Sequence, residues 1–128
     1  MSGRPGAARR ACAAVALLLL GACRPEEAPQ DKRIEGADPA RGRALVADLA
    51  CGVCHRIPGV FGAAGVVGPS LDGFGRRALI AGIVPNHPTT LVRWVADAPS
   101  IAPNTGMPDM PLTDDEARDV AAFLYTLR

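Results

Sequence analysis

The chain has 128 residues, enough for one small domain. It is 48% hydrophobic but only 4% aromatic, and its 14 glycines and 12 prolines imply prominent loops, so a core this poor in aromatics calls for a staple such as a disulfide, a metal or a bound group. A net charge of +1 excludes the strong basic field that a nucleic-acid partner requires.

Residues 1–22 have the layout of an export signal. Arg4, Arg9 and Arg10 form a positive start, and the apolar run from Ala11 to Cys23 is too short for a membrane-spanning helix. Leu20-Gly21-Ala22-Cys23 resembles the lipobox of bacterial lipoproteins, which implies cleavage before Cys23 and a lipid on its sulfur. The mature chain would then carry 11 basic and 13 acidic side chains, a net charge of −2. Residues 23–37 are charged, contain two prolines and offer only Ile34 as a large apolar side chain. They are expected to form a flexible tether, with the folded domain over 38–128.

The first helix is expected from Asp38, with Asp38 as cap and Pro39 at its first position. Leu45, Leu49 and Val46 give it a modest apolar face. Next comes Cys51-Gly52-Val53-Cys54-His55, then a glycine-rich loop. A further helix is expected over about Thr90–Asp97, stopping before Pro99. The clearest helix is the last. Thr113 and Glu116 make a capping box, Asp114 and Asp115 place negative charge in the first turn, and Ala117, Val120, Ala121, Leu124 and Leu127 recur at helical spacing. No strand run is evident.

Of the four cysteines, Cys12 lies in the signal and Cys23 at the lipid position, leaving Cys51 and Cys54 for the domain. Three chemistries use such a pair. A four-ligand zinc site needs a second pair of cysteines or histidines, and the only histidine besides His55 is His87. A redox dithiol sits beside a strand–helix–strand pattern, which is missing here. Cys-x-x-Cys-His is also the pattern of covalent haem attachment, where two thioethers one turn apart hold the porphyrin edge and the adjacent imidazole faces the iron.

The order of later motifs resembles the class I c-type cytochromes. The resemblance covers residues 38–128 and rests on Cys51-Gly52-Val53-Cys54-His55, Gly68-Pro69-Ser70-Leu71, Trp94, Met107-Pro108 and Ala122-Phe123-Leu124. It is nearest to small bacterial cytochromes linked to respiratory oxidases and to haem domains fused to oxidase subunit II. It implies an all-α fold of three to five helices around one covalently attached haem c, with Cys51 and Cys54 as thioethers. His55 and Met107 would be the axial iron ligands and Met110 the runner-up. Met107 precedes Phe123 by sixteen residues, the family's separation, and Met110 is three short. The resemblance further implies that the Pro69 carbonyl accepts from the His55 ring, that Gly42 packs against Phe123, and that Trp94 packs over the haem. Arg76 or Arg77 would neutralise a propionate, and Thr105 would hydrogen-bond one. His87 is expected in an exposed loop, without a ligand role.

Two filled axial positions describe an electron carrier rather than a catalyst. The expected function is a periplasm-facing, lipid-anchored carrier of single electrons, exchanging them with a membrane respiratory complex such as an oxidase. A fixed haem subunit of a periplasmic dehydrogenase is the alternative, and a ligand-binding haem sensor or enzyme a third reading that Met107 opposes.

Overall fold

Asp38 starts the first helix as its sequence demands. Its side chain accepts from the amides of Ala40 and Arg41, at 2.8 and 3.4 Å, and Pro39 occupies the first turn, where a missing N–H costs nothing. In the computed structural model, which describes residues 28–128, this helix is α1, Pro39–Asp48. The export signal and the Cys23 lipid position expected from the sequence lie outside the described residues. Three more helices follow: α2, Pro88–Ala96; α3, Ala98–Ile101; and α4, Asp114–Thr126. The only strands among the described residues, β1 (Leu79–Ile80) and β2 (Val84–Pro85), form a two-residue antiparallel hairpin with Ile80 opposite Val84. Over the described residues the fold is a small, mostly helical one with four α-helices.

The last helix is the hub. The expected capping box closes it, with the Glu116 amide donating to Thr113 Oγ1 (3.3 Å) and the Thr113 amide to Glu116 Oε2 (2.8 Å). Both α1 and α2 pack on it. Its inner face carries Ala117, Val120, Ala121, Leu124 and Tyr125, all buried, against Val46 of α1 and Leu91 and Val95 of α2. On α1 the buried apolar residue is Val46, while Leu45 and Leu49 are half-buried, the reverse of the weight their size would give them. The reason is the crossing point. Gly42 lies directly on the backbone of α4, where any Cβ would overlap the Asp119 carbonyl and sit 2.9 Å from the Val120 nitrogen. At this glycine the nearest neighbours are the main-chain atoms of Asp119 and Val120. Val46 follows it at i+4 on the same face.

Asp119, beside that crossing, is 4% exposed. It accepts from the Asp38 amide (2.6 Å), from Arg41 Nε (2.8 Å) and from a second Arg41 nitrogen (3.2 Å). The Arg41 hydrogen bond holds its carboxyl below the usual range, against an opposing push from burial. Nothing in the helical periodicity marked this residue.

Two sequence expectations are corrected. The second long helix begins at Pro88 rather than near Thr90, because His87 serves as its N-cap residue and Pro88 as N1, and it ends at Ala96 rather than Asp97. The segment expected as a flexible tether is not free over its described part. Gln30–Lys32 form a 3-10 turn, and Ala28 and Ile34 pack on the core. Lys32 Nζ donates to the carbonyls of Gly75 (2.9 Å) and Arg77 (3.0 Å) and lies 5.3 Å from the centre of the Tyr125 ring. A charged, proline-containing stretch cannot order itself, but it can be ordered by a ready-made set of acceptors. No helix of the described residues is long and apolar enough to cross a membrane.

Candidate haem site

The chain leaves α1 through Leu49 and turns at Ala50, which takes the left-handed conformation (φ 56°, ψ 32°). That turn delivers Cys51–Val53 as a 3-10 turn, in which the Cys51 carbonyl accepts from the amides of Cys54 (3.2 Å) and His55 (3.0 Å). Cys51 and Cys54 thus stand about one turn apart, and both are free thiols. Cys51 is half-buried, and burial pushes its thiol pKa up; Cys54 is exposed.

The glycine-rich loop folds back over this turn. The Gly65 amide donates to the Gly52 carbonyl (3.0 Å), the Gly68 amide to the Cys54 carbonyl (2.8 Å), and the Leu71 amide to the Arg56 carbonyl (2.8 Å). The close approaches at Gly52 and Gly65 serve this fold-back: a Cβ at Gly65 would lie 2.5 Å from the Cys54 carbonyl carbon, and one at Gly52 would lie 2.6 Å from Ala63 Cα. Between the pinned glycines, Val66 and Val67 face solvent, as does Val53 beside them.

His55 is gripped from one side. Its Nδ1 lies 2.7 Å from the Pro69 carbonyl oxygen. A carbonyl can only accept, so Nδ1 carries the proton and Nε2 keeps its lone pair for a metal. The ring also lies close against the chain at Gly68, where a Cβ would stand 2.7 Å from Nδ1 and 3.0 Å from Nε2. Gly68 gives room and Pro69 gives the acceptor, so the two neighbours together orient one imidazole.

The methionine loop follows α3. Thr105 Oγ1 accepts from the Met107 amide at 3.2 Å, and the Thr105 amide donates to the Ala102 carbonyl at 2.9 Å. Met107 is half-buried and packs against the core. Met110 is held by its backbone, its amide donating to the Ala96 carbonyl at the end of α2 (2.7 Å). Trp94 and Thr105, both singled out in the sequence, line one cavity of about 320 Å³ together with Ala81, Ile83, Ala102 and Pro103. The two arginines differ. Arg77 donates to the carbonyls of Ser70 (2.5 Å) and Asp72 (3.0 Å) and covers the Phe74 ring, whereas Arg76 is exposed. His87 is exposed. Asn86, which sequence reading passed over, is buried and ties this region together, its Nδ2 donating to the carbonyls of Phe74 (3.3 Å) and Arg77 (3.0 Å). A lone Asn before His-Pro carries no pattern that would have revealed it.

Among the described residues no group of three or more histidines, cysteines or carboxylates is placed to hold a metal ion, so the zinc alternative finds no ligand set there. The strand hairpin is too small for the dithiol alternative. The family model for cytochrome c matches residues 39–128. The chain belongs to the cytochrome c family. It therefore binds covalently attached haem c, and its own residues fit that group: two free thiols one turn apart, an imidazole with Nε2 available, and a glycine where a Cβ would displace that ring. Among curated proteins it is similar to the cytochrome c oxidase subunit 2 of Alkalihalophilus pseudofirmus, at 30% identity over 89 residues, covering 69% of this chain and 25% of that protein. The chain thus matches about a quarter of that relative's length. The function common to the family is haem-based electron transfer.

Proposed function

We propose that this cytochrome is a lipid-anchored, periplasm-facing carrier that passes single electrons to or from a membrane oxidase. Cys51 and Cys54 would hold the haem through thioethers, and His55 Nε2 and the Met107 sulfur would bind its iron. Bound haem c would supply a one-electron ferric–ferrous couple, and a soft thioether ligand beside an imidazole ligand would raise its potential. The observation that carries this reading is the posture of His55, with Nδ1 at 2.7 Å from the Pro69 carbonyl and the ring close against Gly68. A histidine held this way is oriented before it meets the metal and needs little rearrangement when the iron changes charge.

Met107 is favoured over Met110 by its packing against the core and by the Thr105 hydroxyl that holds its amide, whereas Met110 is tied by its backbone to α2. Trp94 and Thr105 line one cavity, and Arg76, which is exposed, is the proposed cation for a propionate. Support for an oxidase partner comes from the similarity to an oxidase subunit 2, and support for anchoring comes from Leu20-Gly21-Ala22-Cys23.

The test is respiratory. Membranes of the source cell, supplied with the purified reduced protein, should oxidise it at the expense of oxygen, and cyanide should stop the reaction. The wild-type protein should sediment with membranes, and Cys23→Ser should release it or block its processing. Re-oxidation that cyanide leaves untouched would remove the oxidase from this account.

A further inference from the structure

The docked segment before α1 changes what a lipid at Cys23 would do. A free tether over 23–37 lets a domain roam. Here the chain is fastened from Ala28 onward, by two hydrogen bonds from Lys32 Nζ to the Gly75 and Arg77 carbonyls, by the Lys32–Tyr125 contact, and by Ala28 and Ile34 on the core. These partners lie in two separate parts of the domain, the Phe74–Arg76 turn and the end of α4. The Gly75 amide joins those parts by donating to the Leu127 carbonyl at 2.7 Å. The strap is therefore seated where those two parts of the domain meet.

We infer that residues 28–37 act as a strap that shortens the leash to Arg24–Glu27, so that the pole formed by the strap, the Phe74–Arg77 turn and the end of α4 is held down against the lipid surface. This rests on the proposed lipid at Cys23. Fully extended, the chain from Cys23 to Ala28 reaches at most about 18 Å, whereas an undocked chain from Cys23 to Asp38 reaches about 54 Å. With the strap seated, the domain neither rotates freely nor rises far from the bilayer. Its partner must then be a redox protein whose electron entry or exit site lies low over the same membrane, and soluble partners reach it only by coming to that surface.

The experiment uses the full lipidated holoprotein in vesicles that carry a fluorescent headgroup, whose emission the haem quenches at short range. The wild type is compared with Lys32→Ala/Ile34→Ser, which releases the strap, and with an insertion of about ten Gly and Ser residues after Glu27, which lengthens the leash while leaving the strap seated. The haem absorption spectrum checks that each variant is folded, and the insertion variant carries the test should the double substitution fail to fold. Strong quenching by wild type and several-fold weaker quenching by both variants is the expected result. Equal quenching by wild type and the folded variants, all still bound to vesicles, overturns the strap. If wild-type protein does not float with vesicles and its N-terminus carries no acyl chain, the anchoring reading and the strap's membrane role fall together. Amide exchange over residues 30–37 then reports separately whether the strap is docked at all.

Discussion

At His55 one ring depends on two neighbours, Gly68 and Pro69. Gly68 leaves no room for a methyl group, since a Cβ there would overlap the imidazole. Gly68→Ala should cost about 1–3 kcal/mol of stability, the range for forcing an atom into a packed site. Denaturant unfolding of the holoprotein measures that cost, and the haem spectrum should report a displaced ligand. Asp119 is the second residue on which much depends. It gathers three donors and is almost wholly buried, so Asp119→Ala should lose on the order of 2 kcal/mol, chiefly from leaving the Asp38 amide and the Arg41 head without an acceptor. Arg41 is largely exposed, so its share as an ion pair is the smaller part. The sign of the pH effect follows from the lowered carboxyl. The stabilisation is present above the unfolded value of about 3.9 and is lost as pH falls through the lower folded value. Acid unfolding monitored in both proteins should show wild type losing its advantage over Asp119→Ala only in that range.

Among the elements, the crossing of α1 on α4 decides the architecture. Glycine inside a helix normally weakens it, and replacing it with alanine gains about 1 kcal/mol where nothing is touched. At Gly42 the added Cβ meets the carbonyl of Asp119, which is fixed in its own helix. Separating two helices outweighs the propensity gain, so Gly42→Ala should be destabilising by about 3 kcal/mol, measurable as a lowered Tm. Local signals made much of this level legible in the sequence. The Asp38 cap, the Thr113–Glu116 box and Cys-x-x-Cys-His each operate within a few residues, and each appears in the structure at its expected place. What escaped is the set of polar contacts that span the chain: Asp119 to Arg41, Lys32 to Gly75, Asn86 to Phe74. Such contacts have no periodicity, because they depend on which backbone carbonyls and buried charges the finished fold brings together. The start of α2 was readable but missed, since His87-Pro88 obeys the same rule that located α1.

For the whole molecule, charge is the distinguishing property. The mature chain would carry 11 basic and 13 acidic side chains, and no dense ring of lysines surrounds the Cys-x-x-Cys-His turn, where Val53, Val66 and Val67 face solvent. Electrostatic steering requires a strong, one-signed field. Electron exchange with the proposed membrane partner should therefore change by less than about threefold between low and physiological salt, as stopped-flow re-oxidation would read. A tenfold or greater fall on adding salt would mean that a charged docking face has been overlooked.

In the proposed site one thioether from the Thr105–Met110 loop would bind the iron together with His55, and Met107 would supply it. Ferric cytochromes with an iron–sulfur bond show a weak far-red absorption band that disappears when the bond is lost. The direct measurement is that band in the ferric holoproteins of Met107→Ala and Met110→Ala, beside wild type. The account expects the band in wild type and in Met110→Ala. In Met107→Ala it should be absent, with a lowered potential and carbon monoxide binding to the ferrous iron. Loss of the band in Met110→Ala with its retention in Met107→Ala would contradict the assignment. A wild-type protein with no such band, and with an iron open to carbon monoxide, would contradict the electron-carrier reading itself.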